Sequence, residues 1–185
     1  MALEIEKKYR VDKRTLVETA SRLRELGAVF HDDVFEENYL HRGGLLDERN
    51  AVLRLRKTGD ITLLTYKEKV DSETDFKHKI EFETRVADVL ATENIIEKLG
   101  YKLSVVYEKH RKSWHLGDVE VVLDELPFGY YMEIEGSIED ILEAEKLLGA
   151  DKFEPELRGY PRLTVKYGKQ VDGVMEARFE KSTVA

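Results

Sequence analysis

The chain has 185 residues with 38 acidic and 30 basic side chains, which give a formal net charge of −8, and 42% of its residues are apolar. The length predicts one domain or two fused halves, and the acidic balance argues against binding to nucleic acid or an anionic membrane, because both need a positive field. Without cysteine there are no disulfides, thiolate metal sites or cysteine nucleophiles, and without an apolar span or a signal-like start we expect a cytoplasmic protein.

The first half of the chain alternates between strand and helix patterns. Residues 2–11 alternate apolar and charged side chains, which is typical of a strand. Asp12 predicts the start of a helix that ends at Gly27, and a long strand follows over residues 28–41. Residues 42–50 are rich in turn formers. Residues 52–56 and 61–70, separated by Gly59 and Asp60, then predict a hairpin.

The second half continues with a strand over residues 76–86 and a helix from Asp88 to Gly100. Strands are predicted over residues 101–116, 119–126 and 130–136, then a helix from Ser137 to Gly149 and a short helix near Gly159. The order strand, helix, long strand therefore occurs twice, in residues 1–41 and 76–116. The pattern becomes uninformative after Gly168, so we expect one domain over residues 1–168 and a tail over 169–185.

About eight strands joined mainly by tight turns indicate an antiparallel sheet. Strands this long and this numerous tend to close into a barrel. The predicted fold is therefore α+β, a closed eight-stranded antiparallel β-barrel with helices packed outside.

Charged side chains repeat at a spacing of two in six predicted strands, so the members of each pair share a face. The basic positions of this kind are Lys8, Arg10, Arg54, Arg56, Lys67, Lys69, Lys77, Lys79, Arg85, Lys109 and Arg111. The acidic positions are Glu4, Glu6, Glu81, Glu83, Glu120, Asp124, Glu133 and Glu135.

Two interpretations of these faces are possible. For any single strand, a polar face turned to water is the more common arrangement. If the sheet closes and the helices cover its apolar side, the charged faces must instead line the interior. Buried charges are costly unless they are paired, hydrated or occupied by a charged ligand, and basic positions outnumber acidic ones there. The pattern then predicts a polyphosphate ligand, with the carboxylates holding Mg²⁺ or Mn²⁺.

Glu4-Ile5-Glu6-Lys7-Lys8 matches the Glu-x-Glu-x-Lys signature of the CYTH superfamily, the triphosphate tunnel enzymes. That short motif is weak alone, and its weight comes from the segments that follow it in order. These are Leu53-Arg54-Leu55-Arg56, Thr65-Tyr66-Lys67, Lys79-Ile80-Glu81, Glu108-Lys109-His110-Arg111, Val122-Leu123-Asp124 and Glu133-Ile134-Glu135. The chain resembles the superfamily over residues 4–135, and the segment from Gly159 to Leu163 is similar to its C-terminal element.

The resemblance implies an eight-stranded tunnel that requires Mg²⁺ or Mn²⁺ and acts on a triphosphate. It assigns metal-facing roles to Glu4, Glu6, Asp124, Glu133 and Glu135. Phosphate contacts fall to Lys8, Arg54, Arg56, Lys67, Lys109 and Arg111, with Glu81 orienting its basic neighbours, and the catalytic set is Glu4, Glu6, Lys8 and Arg111. Two departures are Gly159, where serine is usual, and the last phosphate-binding lysine, for which Lys166 is only a candidate.

Two reactions suit such a tunnel. The order of helices and strands is most similar to class IV adenylyl cyclases, which convert ATP into cyclic AMP and pyrophosphate. The alternative is a triphosphatase that hydrolyses inorganic tripolyphosphate, a nucleoside triphosphate or thiamine triphosphate. A third hypothesis is a non-catalytic polyphosphate-binding module. The resemblance also makes a homodimer plausible.

Overall fold

The computed structural model describes residues 2–70 and 75–180, with the side chains of the strands and helices from residue 4 onward. Eight strands form the barrel. Three of the five helices lie between barrel strands in chain order, and the other two follow the last barrel strand. The strands are β1 (Ala2–Val11), β2 (Val29–Arg42), β3 (Ala51–Thr58), β4 (Ile61–Val70), β5 (Lys77–Arg85), β6 (Lys102–Leu116), β7 (Val119–Leu126) and β8 (Gly129–Glu135). The helices are α1 (Lys13–Glu25), α2 (Gly44–Glu48), α3 (Val89–Lys98), α4 (Ile138–Leu148) and α5 (Tyr160–Tyr167).

The strands close into a barrel in the order β2-β3-β4-β5-β1-β8-β7-β6, and β6 pairs back with β2. All eight barrel pairings are antiparallel. The strand–helix–strand order that occurs twice in the sequence has a structural counterpart, because β1 pairs with β5 and β2 pairs with β6. The predicted closed antiparallel barrel is confirmed.

Short polar side chains begin three of the helices. Asp12 accepts a hydrogen bond from the Thr15 amide at 2.7 Å, and Asp88 accepts one from the Ala91 amide at 2.9 Å. These N-caps satisfy amides that have no partner within the helix. Ser137 caps α4 in the same way, and α4 ends at Gly149 with φ of 64°, a left-handed conformation that favours glycine.

An apolar layer lies between the barrel wall and helices α1 and α4. Leu23 of α1 and Ile141 of α4 pack in one buried cluster with wall residues such as Tyr9 and Trp114. A second cluster joins α5 to β6 through Tyr160, Leu163 and neighbouring wall residues. Since the apolar strand faces are used outside the barrel, the charged faces are left to line its interior.

Two segments contain structure that the sequence patterns did not indicate. The turn-rich residues 42–50 include the short helix α2. The segment after Gly168 forms β9 (Lys169–Val171) and β10 (Val174–Ala177), and β10 lies parallel to β6. Residues 181–185 of the predicted tail lie outside the described residues. No helix in the described part of the chain is long and apolar enough to cross a membrane.

Candidate active site in the barrel interior

The barrel encloses a charged cavity of about 270 Å³, which we call the tunnel cavity. Its described lining contains equal numbers of basic and acidic side chains. The basic ones are Lys8, Arg54, Arg56, Lys67, Lys79, Lys109 and Arg111, and the acidic ones are Glu4, Glu6, Glu81, Glu83, Glu120, Glu133 and Glu135. Leu40, Val52, Tyr107, Gly159, Tyr160 and Pro161 complete the lining. An interior of this kind is a polar site and not a packed apolar core.

Arg111 on β6 organises one part of the tunnel wall. Its guanidinium donates to both oxygens of Asp124 on β7, at 2.7 and 2.5 Å, and to Glu133 on β8 at 2.8 Å. Tyr160 of α5 donates its hydroxyl proton to Asp124 at 2.6 Å. Although burial opposes ionisation, the ammonium of Lys8 and the guanidinium of Arg111 hold the pKa of Glu133 well below its usual range. Arg111 is therefore fixed in position before any ligand arrives.

Two lysines beside this group are almost fully buried. The Lys8 ammonium lies 2.9 Å from Glu133 and 3.5 Å from the centre of the Tyr160 ring, a cation–π contact. Lys109 lies 3.3 Å from Glu36. Burial and the neighbouring Arg111 lower the pKa of Lys109 to about 8. Both ammonium groups face the cavity, where an anionic ligand would offset their desolvation.

Glu6 on β1 is surrounded by lysines. Lys79 contacts its Oε2 at 2.5 Å, and Lys77 lies 3.5 Å from its Oε1. Burial and Glu133 oppose ionisation of Glu6, but the ammonium groups of Lys79, Lys77 and Lys8 together lower its pKa to about 2. Oε1 is buried and accepts no hydrogen bond. Glu6 is thus ionised with one oxygen still available to a cation.

Arginines and glutamates from β3 and β5 pair across the opposite wall. Arg54 lies 3.3 Å from Glu81, and Arg56 lies 2.8 Å from Glu83. Glu81 also contacts Lys67 of β4. The carboxylates therefore lie beside these basic groups in the cavity wall, and the orienting role of Glu81 stays a prediction. A triphosphate could replace the carboxylates as the partner of each guanidinium, since both oxyanions match the same planar fork.

Four carboxylates, those of Glu4, Glu6, Glu120 and Glu135, cluster where β1, β7 and β8 adjoin, and within the described part of the chain Glu120 and Glu135 form no ion pair. Glu135 is the register partner of Glu6 on one side and of Glu120 on the other. Burial and the repulsion of Glu4, Glu6 and Glu120 raise the pKa of Glu135 to about 7. Burial also raises the pKa of Glu4, although Lys67 lies 3.4 Å from it. A bound cation would relieve this repulsion.

These carboxylates fit Mg²⁺ or Mn²⁺ by donor type and by their mutual repulsion around Glu135. Within the described part of the chain, however, no three acidic or histidine side chains could hold a metal ion by themselves. Mg²⁺ commonly binds through one or two carboxylates together with water and substrate phosphates. The available donors are Glu4, Glu6 and Glu135, whereas the oxygens of Asp124 already accept from Arg111 and Tyr160.

The structure brings nearly all predicted site residues together. The cavity is lined by Glu4, Glu6, Lys8, Arg54, Arg56, Lys67, Glu81, Lys109, Arg111, Glu133 and Glu135. Asp124 lies behind this layer and is fully buried. The sequence pattern was wrong for Arg10 and Arg85, which stand near the ends of their strands, are exposed and do not line the cavity. Lys166 is also exposed and lies outside the lining.

Sequence reasoning missed several groups of the site. Glu36 contacts Lys109 and Arg56 inside the barrel, but its strand has acidic residues at both 36 and 37, so alternation could not decide which one points inward. Tyr107 and Tyr160 line the cavity although aromatic residues usually indicate a core. Their proximity to Lys8 and Arg54 could not be read from a single strand pattern.

Comparison with known proteins agrees with this geometry. The model of the CYTH domain matches residues 2–160. The chain belongs to the CYTH family. A protein of Methanocaldococcus jannaschii named "Putative adenylate cyclase MJ0240" is 31% identical over 150 residues, which cover 79% of this chain and 83% of that protein.

Solved structures show the same fold. The PH1012 protein of Pyrococcus horikoshii superposes with a TM-score of 0.75 at 25% identity, covering 86% of this chain and 98% of that one. HpAC1 from Hippeastrum, described as an adenylyl cyclase candidate with a dominant triphosphatase activity, superposes with a TM-score of 0.67 at 16% identity, covering 93% and 98% of the two chains. At that identity the second likeness concerns the fold alone. CYTH proteins act on triphosphates, generally with a divalent metal.

Proposed function

We propose that this CYTH protein is a metal-dependent enzyme that binds the triphosphate of ATP in the tunnel cavity and converts ATP into cyclic AMP and pyrophosphate. The observation that supports a triphosphate ligand is the ring of buried basic side chains inside an acidic protein, with Lys8, Lys109 and Arg111 held by acidic partners. The relative from Methanocaldococcus jannaschii favours the cyclase reaction.

The charges of the cavity suggest how binding proceeds. In the free protein each basic group has a carboxylate partner, as in the pairs Arg56–Glu83 and Lys8–Glu133. An entering triphosphate supplies new oxyanion partners for the basic groups, and the displaced carboxylates become available to a cation. This exchange keeps the interior close to neutral, which limits the cost of burying so many charges.

The reaction depends on an electrophilic α-phosphorus and on stabilisation of the leaving group. It does not require a covalent nucleophile from the protein. The 3'-oxygen of the ribose forms a bond to the α-phosphorus, the bond from that phosphorus to the bridging oxygen breaks, and the hydroxyl proton is released. Lys8, Arg54 and Arg111 would hold the phosphate oxygens and stabilise the departing pyrophosphate. A divalent metal on Glu4, Glu6 or Glu135 would polarise a phosphoryl oxygen.

A triphosphatase is the second candidate, because the same fold supports both reactions and fold alone does not fix the activity. Its support is the structural likeness to HpAC1. In that reaction water attacks the terminal phosphorus and the bond from that phosphorus to the bridging oxygen breaks. The terminal group becomes orthophosphate, and the shortened phosphate chain is the leaving group. The same basic groups would stabilise the transition state.

Product analysis separates the candidates. The purified protein is incubated with ATP or with tripolyphosphate in the presence of Mg²⁺ or Mn²⁺, and cyclic AMP, pyrophosphate and orthophosphate are separated. Cyclic AMP identifies a cyclase, and orthophosphate identifies a triphosphatase. Binding without turnover contradicts both and leaves a polyphosphate-binding module. The same assay is applied to Glu4→Gln, which alters a candidate metal ligand. Its matched control is Glu154→Gln, because Glu154 is exposed and lies outside the tunnel cavity.

A further inference from the structure

A second, smaller cavity of about 140 Å³ adjoins the tunnel cavity, and we call it the side chamber. It shares Val52, Lys67, Lys79, Gly159 and Pro161 with the tunnel lining. It lies at the barrel end where β2 and β4 finish and β3 and β5 begin, beside the start of α5. The chamber therefore adjoins the tunnel cavity at this end of the barrel.

The side chamber differs from the tunnel in the sign of its charge. Its described lining includes six basic side chains and no carboxylate, whereas the tunnel lining is balanced. The basic residues that it adds to those of the tunnel are Arg42, Lys69, Lys77 and Arg162. Three of the six basic groups already have carboxylate partners on their tunnel side, Lys67 in Glu4 and Glu81, and both Lys77 and Lys79 in Glu6. An anion in the chamber would therefore be an additional partner for them and a first ionic partner for a basic group that has none among the described residues.

Arg162 is the basic group of this chamber best placed to receive a ligand. It stands in the first turn of α5 and its side chain is exposed. Among the described residues it forms no ion pair, whereas its neighbour Arg158 pairs with Glu156. Arg42, by contrast, is bonded to Asp47 at 2.7 Å. The beginning of α5 faces the same chamber through residues 159, 161 and 162, so its N-terminal partial positive charge adds to that of the guanidinium.

The two ends of the barrel interior carry different side chains. Glu120 and Glu135 lie at the end where β7 begins and β8 finishes, whereas Arg162 and the start of α5 lie at the end of the side chamber. The free terminal group of a phosphate chain carries the largest negative charge, about −2 near neutral pH. The carboxylates of Glu120 and Glu135 would repel this group, whereas the guanidinium of Arg162 would attract it.

Resting on the proposed binding of a triphosphate in the tunnel, we propose that the side chamber is a further anion subsite that holds a fourth phosphate group. Chains with four phosphates, inorganic tetrapolyphosphate or adenosine tetraphosphate, would fill both the tunnel and the chamber. The subsite would make affinity depend on chain length. Neither reaction considered above requires it.

Calorimetric titration at fixed salt tests this subsite with tripolyphosphate and tetrapolyphosphate as probes. We expect tetrapolyphosphate to bind about tenfold more tightly than tripolyphosphate, since one additional charge-assisted hydrogen bond is equivalent to about an order of magnitude in affinity. Arg162→Ala should reduce this preference to about twofold or less, because that one hydrogen bond is lost. The affinity for tripolyphosphate should be unchanged. Arg162→Lys should retain part of the preference.

Arg24→Ala is the control, because Arg24 is an exposed arginine on helix α1 and lines neither cavity. The subsite is refuted if wild type binds both chains equally, or if Arg162→Ala and Arg24→Ala show the same preference. It is also refuted if Arg162→Ala weakens the binding of ATP and not that of tetrapolyphosphate, because the chamber would then be a nucleoside site. Absence of tripolyphosphate binding by wild type would refute the proposed function itself, and the subsite with it.

Discussion

The substitution Glu135→Gln should stabilise the metal-free protein at alkaline pH. Burial and three neighbouring carboxylates raise the pKa of Glu135 from 4.5 to about 7. Between these values the unfolded chain is ionised at this position while the folded protein keeps its proton, so the free energy of unfolding falls as the pH rises through that window. The difference corresponds to about 3 kcal/mol, because one pKa unit equals about 1.4 kcal/mol.

Glutamine has nearly the same shape and never ionises, so it removes this pH-dependent loss. Urea unfolding in the presence of a chelator measures the effect at acid and alkaline pH. We expect the variant to match wild type near pH 4.5 and to exceed it by up to about 3 kcal/mol at pH 8. Added Mg²⁺ should stabilise wild type more than the variant. A stability difference that does not change with pH would refute the proposed clustering of carboxylates.

Three further sets of substitutions test other parts of the site. Glu4→Gln or Glu6→Gln should abolish metal-dependent turnover without unfolding the protein, and normal activity at saturating Mg²⁺ would reject the metal role. Arg54→Ala combined with Arg56→Ala should raise the KM for the triphosphate by about 100-fold or more, because two charge-assisted partners are lost. Steady-state kinetics measures this KM, and an unchanged value would contradict the phosphate-binding role of the two arginines. Tyr160→Phe should lower the free energy of unfolding by about 1–3 kcal/mol, because a buried acceptor of Asp124 loses its donor; equal stability in urea would show that this hydrogen bond contributes little.

The sequence allowed much of the barrel to be predicted because strand alternation and helix caps are local signals. The strict alternation of β1 placed Glu4, Glu6 and Lys8 on one face, and the closed sheet turns that face inward. The position of Arg10 was mispredicted since alternation says nothing about where the cavity ends. Arg10 lies at the end of β1, where its guanidinium donates a hydrogen bond to the Tyr167 hydroxyl at 3.0 Å.

The parts that could not be predicted depend on contacts between distant segments. Tyr160 reaches Lys8 and Asp124 only because α5 packs against β6 at one end of the barrel. The strands β9 and β10 are short. β10 pairs with β6, β9 pairs with β10, and Arg178 just after β10 bonds to Glu108 at 3.1 Å. Neither contact has a signature within its own segment.

The most direct measurement for a triphosphate tunnel is a crystal structure of the protein soaked with tripolyphosphate and Mn²⁺, with the manganese located from its anomalous signal. We expect phosphate density inside the barrel along Lys8, Arg54 and Arg111, and a manganese peak beside Glu4, Glu6 or Glu135. Phosphate and manganese found only on the outer surface, with the Arg111–Glu133 and Arg56–Glu83 pairs unchanged, would contradict the proposed function.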